Sequence, residues 1–389
     1  MEGTTRKRTR RSKRIEGTVG KGFLICLGIL ILLNILVPDK TMSEKENRIL
    51  SSKPKLTWSG LVSGDFMMKY EDYLADQFAG RDAWRGLRVT LTRLGGSKVE
   101  NEVLIGKNHQ LLQDIVSPDQ DILKENLDAI QTFAEDYSDL DVNMMLIPDA
   151  ATVLSGQLPA LSTVADQTRM IAQVKRELGD SVVWLDASDA LNKHKEEKIY
   201  YKTDAHWTSL GAFYAFGAVA EQMGIQVDYS SAYAVYPITT SFNGMLAAKS
   251  GCRLDEKETI EIYVPKNTDN DVVVSYVNEQ KKTTSLYDSS KLDTRDQYAV
   301  FLGGNSAVVD IKTVSESNRR LLVVKDSFAN CFVPLLTPYF REIVMVDPRY
   351  YTGTIEDIMD TYRISDVLFL YSGNTFFQDN NISGVLGSE

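Results

Sequence analysis

Histidine is the scarcest reactive residue in this chain of 389 residues: there are three, His109, His194 and His206. Any mechanism that moves protons near neutral pH must draw on one of them. Cysteine is equally sparse, so a dense disulfide scaffold is excluded. Cys26 lies in an apolar segment, which leaves Cys252 and Cys331 as one open pairing. Long hydrophobic runs are absent but for one near the amino terminus, which excludes a multi-span membrane protein. Internal repeats and low-complexity tracts are absent too, as are long linkers after residue 60. What is present is ordinary for a globular chain: 43% apolar and 25% charged residues, which rule out wholesale disorder and rod-like folds.

Charge is unevenly placed. Residues 1–21 hold eight Lys or Arg against Glu2 and Glu16, a net of +6, so the rest of a chain of total −10 carries −16. A body this acidic repels phosphate backbones, and nucleic acid is not an expected partner. Gly22 to Val37 (GFLICLGILILLNILV) is uncharged and ends at Pro38. It is slightly short of the ~20 residues that span a bilayer, but Thr18 to Gly20 extend it and Lys21 can snorkel. No small-residue cleavage site follows, so an uncleaved signal anchor is expected over 22–38. The basic head then stays cytoplasmic and the body lies outside the cell membrane, single-pass.

Residues 39–60, with Pro54 and several charges, read as a linker. Phe66, Tyr70, Tyr73 and Phe78 recur at helical spacing, as do Trp84, Leu87, Leu91 and Leu94. Val103 to Leu112 predicts a hairpin turning at Gly106 to His109. Strand and helix then alternate: a helix over 122–133, a strand over 142–148, a helix over 167–178, a strand over 182–185 and a helix over 207–223. Residues 252–319 break the rhythm with short β-type runs (EIYV, VVVSYV, YAVFLG, AVVDI), as an inserted antiparallel excursion would. Alternation resumes with strands at 321–326, 342–347 and 367–372 and a helix near 354–362. The expectation is an α/β three-layer fold, a mainly parallel sheet flanked by helices, in one domain over 61–389.

Two histidines fall where solvated surface is expected, His109 in the hairpin turn and His194 in NKHKEEK. His206 lies in YYKTDAHWTSLG, two residues after Asp204, and residues i and i+2 of an extended segment point to one side. The Asp204 carboxylate can then fix the imidazole tautomer and leave the other nitrogen as a base. Spacing alone equally allows a helix-capping region with His206 and Trp207 as packing. A metal held by Asp204 and His206 lacks a clustered third ligand. Ser327, in VVKDSFAN, follows an apolar strand and opens the next helix, where a nucleophile finds free backbone N–H groups, though Asp-Ser is also a common cap. After the terminal strand, Asn374 of SGNT either donates to an oxyanion or serves a turn. Arg349, Tyr350 and Tyr351 of DPRYY reach the same sheet edge, to hold a substrate or to cover the core.

Together these segments resemble the DHHW family and the related AlgX/AlgJ-like SGNH-hydrolase domains. The resemblance is carried by SEKENRILSSKP, DQFAGRDAW, VLIGKNHQLL, YYKTDAHW, KDSFAN, VDPRYY and VLFLYSGNT. Ala205 stands where the family motif has its first His. The resemblance implies Ser327 as nucleophile, His206 as base and Asp204 as its orienting acid, with Asn374 at the oxyanion and Arg349, Tyr350 and Trp207 toward substrate. It implies O-acetyl transfer or hydrolysis on a cell-surface polysaccharide, no cofactor, and a membrane-bound O-acyltransferase partner that supplies acetyl groups. A glycan-binding or envelope-assembly protein of the same fold without turnover is the alternative.

Overall fold

A computed structural model describes residues 10–43, 48–81, 83–84, 87, 99–100, 102–226, 232–252, 257–266 and 271–387. The chain divides into two compact units, residues 1–92 and 93–389. In the first, helix α1 (Arg10–Leu36) contains the apolar run, strands β1 (Met42–Ser43) and β2 (Arg48–Ile49) pair antiparallel, and α2 (Trp58–Ser63) and α3 (Asp65–Asp76) follow. Thr57 caps α2, its side chain accepting from the Gly60 N–H. α3 takes up the expected Phe66–Tyr70–Tyr73 stripe. The helix expected from Trp84 to Leu94 falls largely outside the described residues.

The second unit opens with a three-stranded meander, β3 (Val99–Glu100), β4 (Val103–Ile105) and β5 (Leu111–Gln113). β4 and β5 form the predicted hairpin, with Ile105 opposite Leu111 and the turn at Lys107–His109. Next come α4 (Gln120–Asp136), β6 (Asp141–Ile147), α5 (Ala150–Val153), α6 (Gln167–Leu178), β7 (Val183–Trp184), α7 (Ser188–Lys193) and α8 (Ser209–Val219). α8 starts two residues later than expected, because Thr208 caps it by accepting from the Gly211 N–H. His206 and Trp207 therefore lie in the turn before the helix.

The β-rich stretch comprises β8 (Tyr233–Phe242), α9 (Met245–Ser250), β9 (Glu258–Pro265), β10 (Val272–Tyr276), β11 (Lys281–Thr283) and β12 (Val308–Thr313). It is only half an excursion. β8 and β9 pair with each other as a ribbon, while β10, β11 and β12 extend the main sheet. YAVFLG is not a strand: Gln297–Val300 is a 3₁₀ turn that buries Tyr298, Ala299 and Val300. Its apolar side chains cover the core from a turn, which a continuous apolar run does not distinguish from a strand.

The chain then runs through β13 (Arg320–Lys325), α10 (Ala329–Phe332), β14 (Glu342–Val346), α11 (Ile355–Tyr362), β15 (Asp366–Ser372), α12 (Gly373–Gln378) and α13 (Ile382–Val385). The main sheet has eight strands in the order β11-β10-β12-β14-β13-β15-β6-β7. β14, β13, β15, β6 and β7 are mutually parallel, and β12, β10 and β11 are added by successive antiparallel pairings. Alternate residues of the parallel strands feed two cores. Leu321, Val323, Met345 and Leu368 pack with Ala212, Phe216 and Val219 of α8, and Leu322, Val324, Val344 and Phe369 with Leu127 and Ile130 of α4, Val174 of α6 and Ile358 of α11. Strands buried on both faces must be apolar throughout, which is why they were legible as continuous runs.

Cys252 and Cys331 are both buried and unbonded, so the open pairing is not made. Burial pushes the Cys331 thiol up to about 12, which leaves it inert as a nucleophile.

Candidate active site

Four parallel strands end at one edge, and each supplies the residue that follows it. β13 leads into Asp326 and Ser327, β14 into Asp347 and Arg349, β6 into Asp149, and β15 into Gly373 and Asn374. The carboxyl edge of a parallel sheet is where such a fold places its ligands. A cavity of about 370 Å³ opens there, lined by Ser327, His206, Asp149, Arg349, Asn374 and Asp379 among others.

The turn before α8 brings His206 to this edge. An antiparallel bridge between Tyr200 and Trp207 closes the loop. Within it the Asp204 Oδ1 lies 2.5 Å from His206 Nδ1 and accepts the His206 backbone N–H at 3.1 Å. His206 Nε2 is 2.7 Å from Ser327 Oγ. A carboxylate, an imidazole and a hydroxyl thus form one unbroken relay, whose second link joins residues 121 positions apart. The second carboxylate oxygen, Asp204 Oδ2, accepts the Met245 N–H at 2.7 Å. Asp204 is 3% exposed. Burial alone pushes its carboxyl up, but the charge and hydrogen bond of His206 with the Met245 and His206 N–H groups overcome it, and the carboxyl sits below its ordinary value. Tyr298 stacks on the imidazole with ring centres 3.9 Å apart and planes 13° apart, which fixes the ring plane.

The turn that holds Ser327 is knitted to its surroundings. Asp326 Oδ1 accepts the Phe328 N–H at 2.8 Å, and its Oδ2 accepts from the Ser372 N–H and hydroxyl, joining the ends of β13 and β15. Lys325 is buried beneath, its Nζ donating to Asn330 Oδ1 at 3.0 Å and lying 3.4 Å from Asp347 Oδ2. Burial pushes Lys325 down from its ordinary value and Asp347 works against that. Arg349 grips Asp347 with Nε at 2.8 Å and Nη2 at 2.7 Å, so its guanidinium is pinned at the cavity rim.

The other expected site residues divide. Asn374 lines the cavity, with Oδ1 accepting the Val116 N–H at 3.1 Å and Nδ2 donating to the Asp114 carbonyl at 2.8 Å. It stands in the first turn of α12, not in a free turn. Tyr350 is 53% exposed and lies outside the cavity lining. Trp207, expected toward substrate, is wholly buried: its indole N–H donates to the Phe328 carbonyl at 2.9 Å, so it props the nucleophile turn from the core side. His109 is exposed in the hairpin turn, and His194 stacks on Tyr214 with its Nδ1 2.6 Å from Glu197. Among the described residues no group of three or more His, Cys, Asp or Glu is arranged to hold a metal.

Asp149, Met245 and Tyr298 were not singled out from sequence. Asp149 had a signal, an acidic residue directly after an apolar strand. Its Oδ2 accepts from Gln167 Nε2 at 2.6 Å and the Asn374 N–H at 2.7 Å, and burial raises its carboxyl to about 6. Met245 acts through its backbone and Tyr298 through a distant turn, and neither leaves a local pattern.

The family model for the DHHW protein family matches residues 141–346. No curated protein matches the chain. The crystal structure of a DHHW family protein from Eubacterium siraeum is similar over 75% of this chain and 98% of that one, at 25% identity and a TM-score of 0.64. Bacillus cereus PatB1, solved with a sulfonyl adduct, is similar over 72% of this chain and 96% of that one, at 19% identity and a TM-score of 0.60. The O-acetyltransferase domain of Pseudomonas putida AlgJ aligns over 74% of this chain and 99% of that one, at 14% identity and a TM-score of 0.48.

Proposed function

Since the chain belongs to the DHHW family, we propose that it is a serine-dependent O-acetyltransferase or acetylesterase acting on a cell-surface polysaccharide. The observation that carries the reading is the relay from Asp204 through His206 to Ser327 at the mouth of an open cavity. Asp204 holds the Nδ1–H tautomer, which leaves Nε2 as the acceptor for the Ser327 proton. Ser327 Oγ attacks the acetyl carbonyl and the proton passes to Nε2. His206 returns it to the departing oxygen, and an acetyl-serine remains. An acceptor hydroxyl then gives its proton to Nε2 and attacks the acetyl carbon. The bond between the acetyl carbon and Ser327 Oγ breaks, and Oγ recovers its proton from His206. A sugar hydroxyl as acceptor yields a new ester; water yields hydrolysis.

Asn374 Nδ2 spends one of its two hydrogens on Asp114 and keeps the other for the carbonyl oxygen as charge develops there. α1 includes Thr18–Leu36, 19 residues of a length and apolarity that cross a membrane. With the basic head inside, the second unit works outside the membrane, beside a membrane-bound O-acyltransferase that delivers acetyl groups. The test is turnover of a chromogenic acetate ester by the full chain in detergent. The wild type should turn it over and Ser327→Ala should fall to background; equal background in both would favour a glycan-binding protein without turnover.

A further inference from the structure

The β8–β9 ribbon lies outside the main sheet, yet one of its ends touches the base-bearing loop twice. Phe242, at the end of β8, pairs with Glu258, the first residue of β9. That register sets Gly244 and Met245, just beyond β8, beside Glu258. From the first side, the Met245 N–H donates to Asp204 Oδ2 at 2.7 Å and the Gly244 N–H to Thr203 Oγ1 at 2.9 Å. The approach is so close that a Cβ on Gly244 would lie 2.4 Å from the Asp204 carboxylate. From the second side, Glu258 takes three donors. Its Oε1 accepts the Lys202 N–H at 2.8 Å, and its Oε2 accepts the Thr203 N–H at 2.8 Å and the Thr203 hydroxyl at 2.5 Å.

We infer that Glu258 is a positioning residue for Asp204: its carboxylate fixes the two residues preceding the catalytic acid, and the ribbon end is a two-pronged clip that sets the acid against His206. The inference rests on the proposed catalytic reading. The donor set explains why a carboxylate stands there. Two successive N–H groups and a hydroxyl all point inward, and only a group with acceptors on both oxygens and no hydrogen of its own satisfies them. A glutamine is the same size but turns an NH₂ toward one of those donors, so that end of the loop must move. Glu258 touches neither Ser327 nor His206, so its effect should fall on the rate of bond formation and spare binding.

The probe is an arylsulfonyl fluoride, which sulfonylates an activated serine with loss of fluoride, applied to the full chain in detergent and followed by mass. Wild type should label on Ser327. Glu258→Gln should lower the maximal labelling rate roughly 10–100-fold, the scale of a small misplacement of a catalytic group, with the half-saturating concentration unchanged. Glu258→Asp keeps two acceptor oxygens and should recover part of the rate. Near-ultraviolet circular dichroism restricts the comparison to folded protein. If folded Glu258→Gln labels at the wild-type rate, or if both variants fall equally, the assignment is overturned alone. If wild type itself does not label, the catalytic reading fails and takes this one with it.

Discussion

Asp204 has no spare oxygen: Oδ1 serves His206 and Oδ2 serves Met245. Asp204→Asn must therefore turn an NH₂ toward the N–H donors of His206 or toward that of Met245. The outcome is a misplaced loop or an imidazole presenting the wrong tautomer to Ser327. Ester turnover should fall by up to about 10⁴, and adding Ser327→Ala should lower it little further, because members of one relay are not additive. Kinetics of the two single variants and the double variant check this. Stability should separate the same pair. Ser327→Ala should leave the melting temperature unchanged, while Asp204→Asn should lower it, since a buried carboxylate with three donors is replaced by a poorer acceptor.

At the scale of elements, three ends meet on Asp149. It follows β6, receives Gln167 from the first turn of α6 and receives the backbone of Asn374 from the first turn of α12. Its carboxyl is raised to about 6, the opposite sense to Asp204. The folded chain then binds that proton more tightly than the unfolded one, so this group's contribution to stability is full below its ordinary value near 3.8 and is lost as pH rises to about 6. Asp149→Asn, which carries no titrating group, should remove that component. Melting temperatures of the two proteins should diverge between pH 4 and 6, with the wild type losing ground as pH rises.

The elements themselves were largely readable. The helix over 167–178 matches α6 residue for residue, and the parallel strands fall within a residue or two of their apolar runs. So was the Asp204–His206 pairing, because two residues of one turn need no knowledge of the rest of the fold. Glu258 was not readable: its contacts lie 55 and 56 positions away, and two of the three run to backbone atoms, which every sequence possesses. Trp207 was misjudged for a related reason. An aromatic beside a catalytic histidine faces substrate or core according to which side the chain enters, and the bridge to Tyr200 turns it inward.

For the whole molecule, the charge asymmetry and α1 make one prediction. Phe23, Ile25 and Leu32 are more than half exposed on α1, apolar surface that a bilayer would cover. On the proposed orientation, protease added to intact cells should remove an epitope placed at the carboxyl terminus and spare one placed before Arg6. Protection of the carboxyl-terminal epitope would overturn the orientation.

The strand order also fixes when this molecule can begin to work. β15 is not at an edge: it lies between β13 and β6, and among the described residues it alone joins the half of the sheet that carries Ser327 to the half built from the earlier residues. Until it is made and inserted, both halves expose unpaired strand edges, and Asp326 lacks the Ser372 groups that steady the nucleophile turn. A nascent chain emerging amino terminus first therefore holds Asp204 and His206 long before it holds a formed site. The site is complete only once residues 366–374 have been made, and a chain cut short before Asp366 is left with an open seam that a protease or a chaperone can recognise.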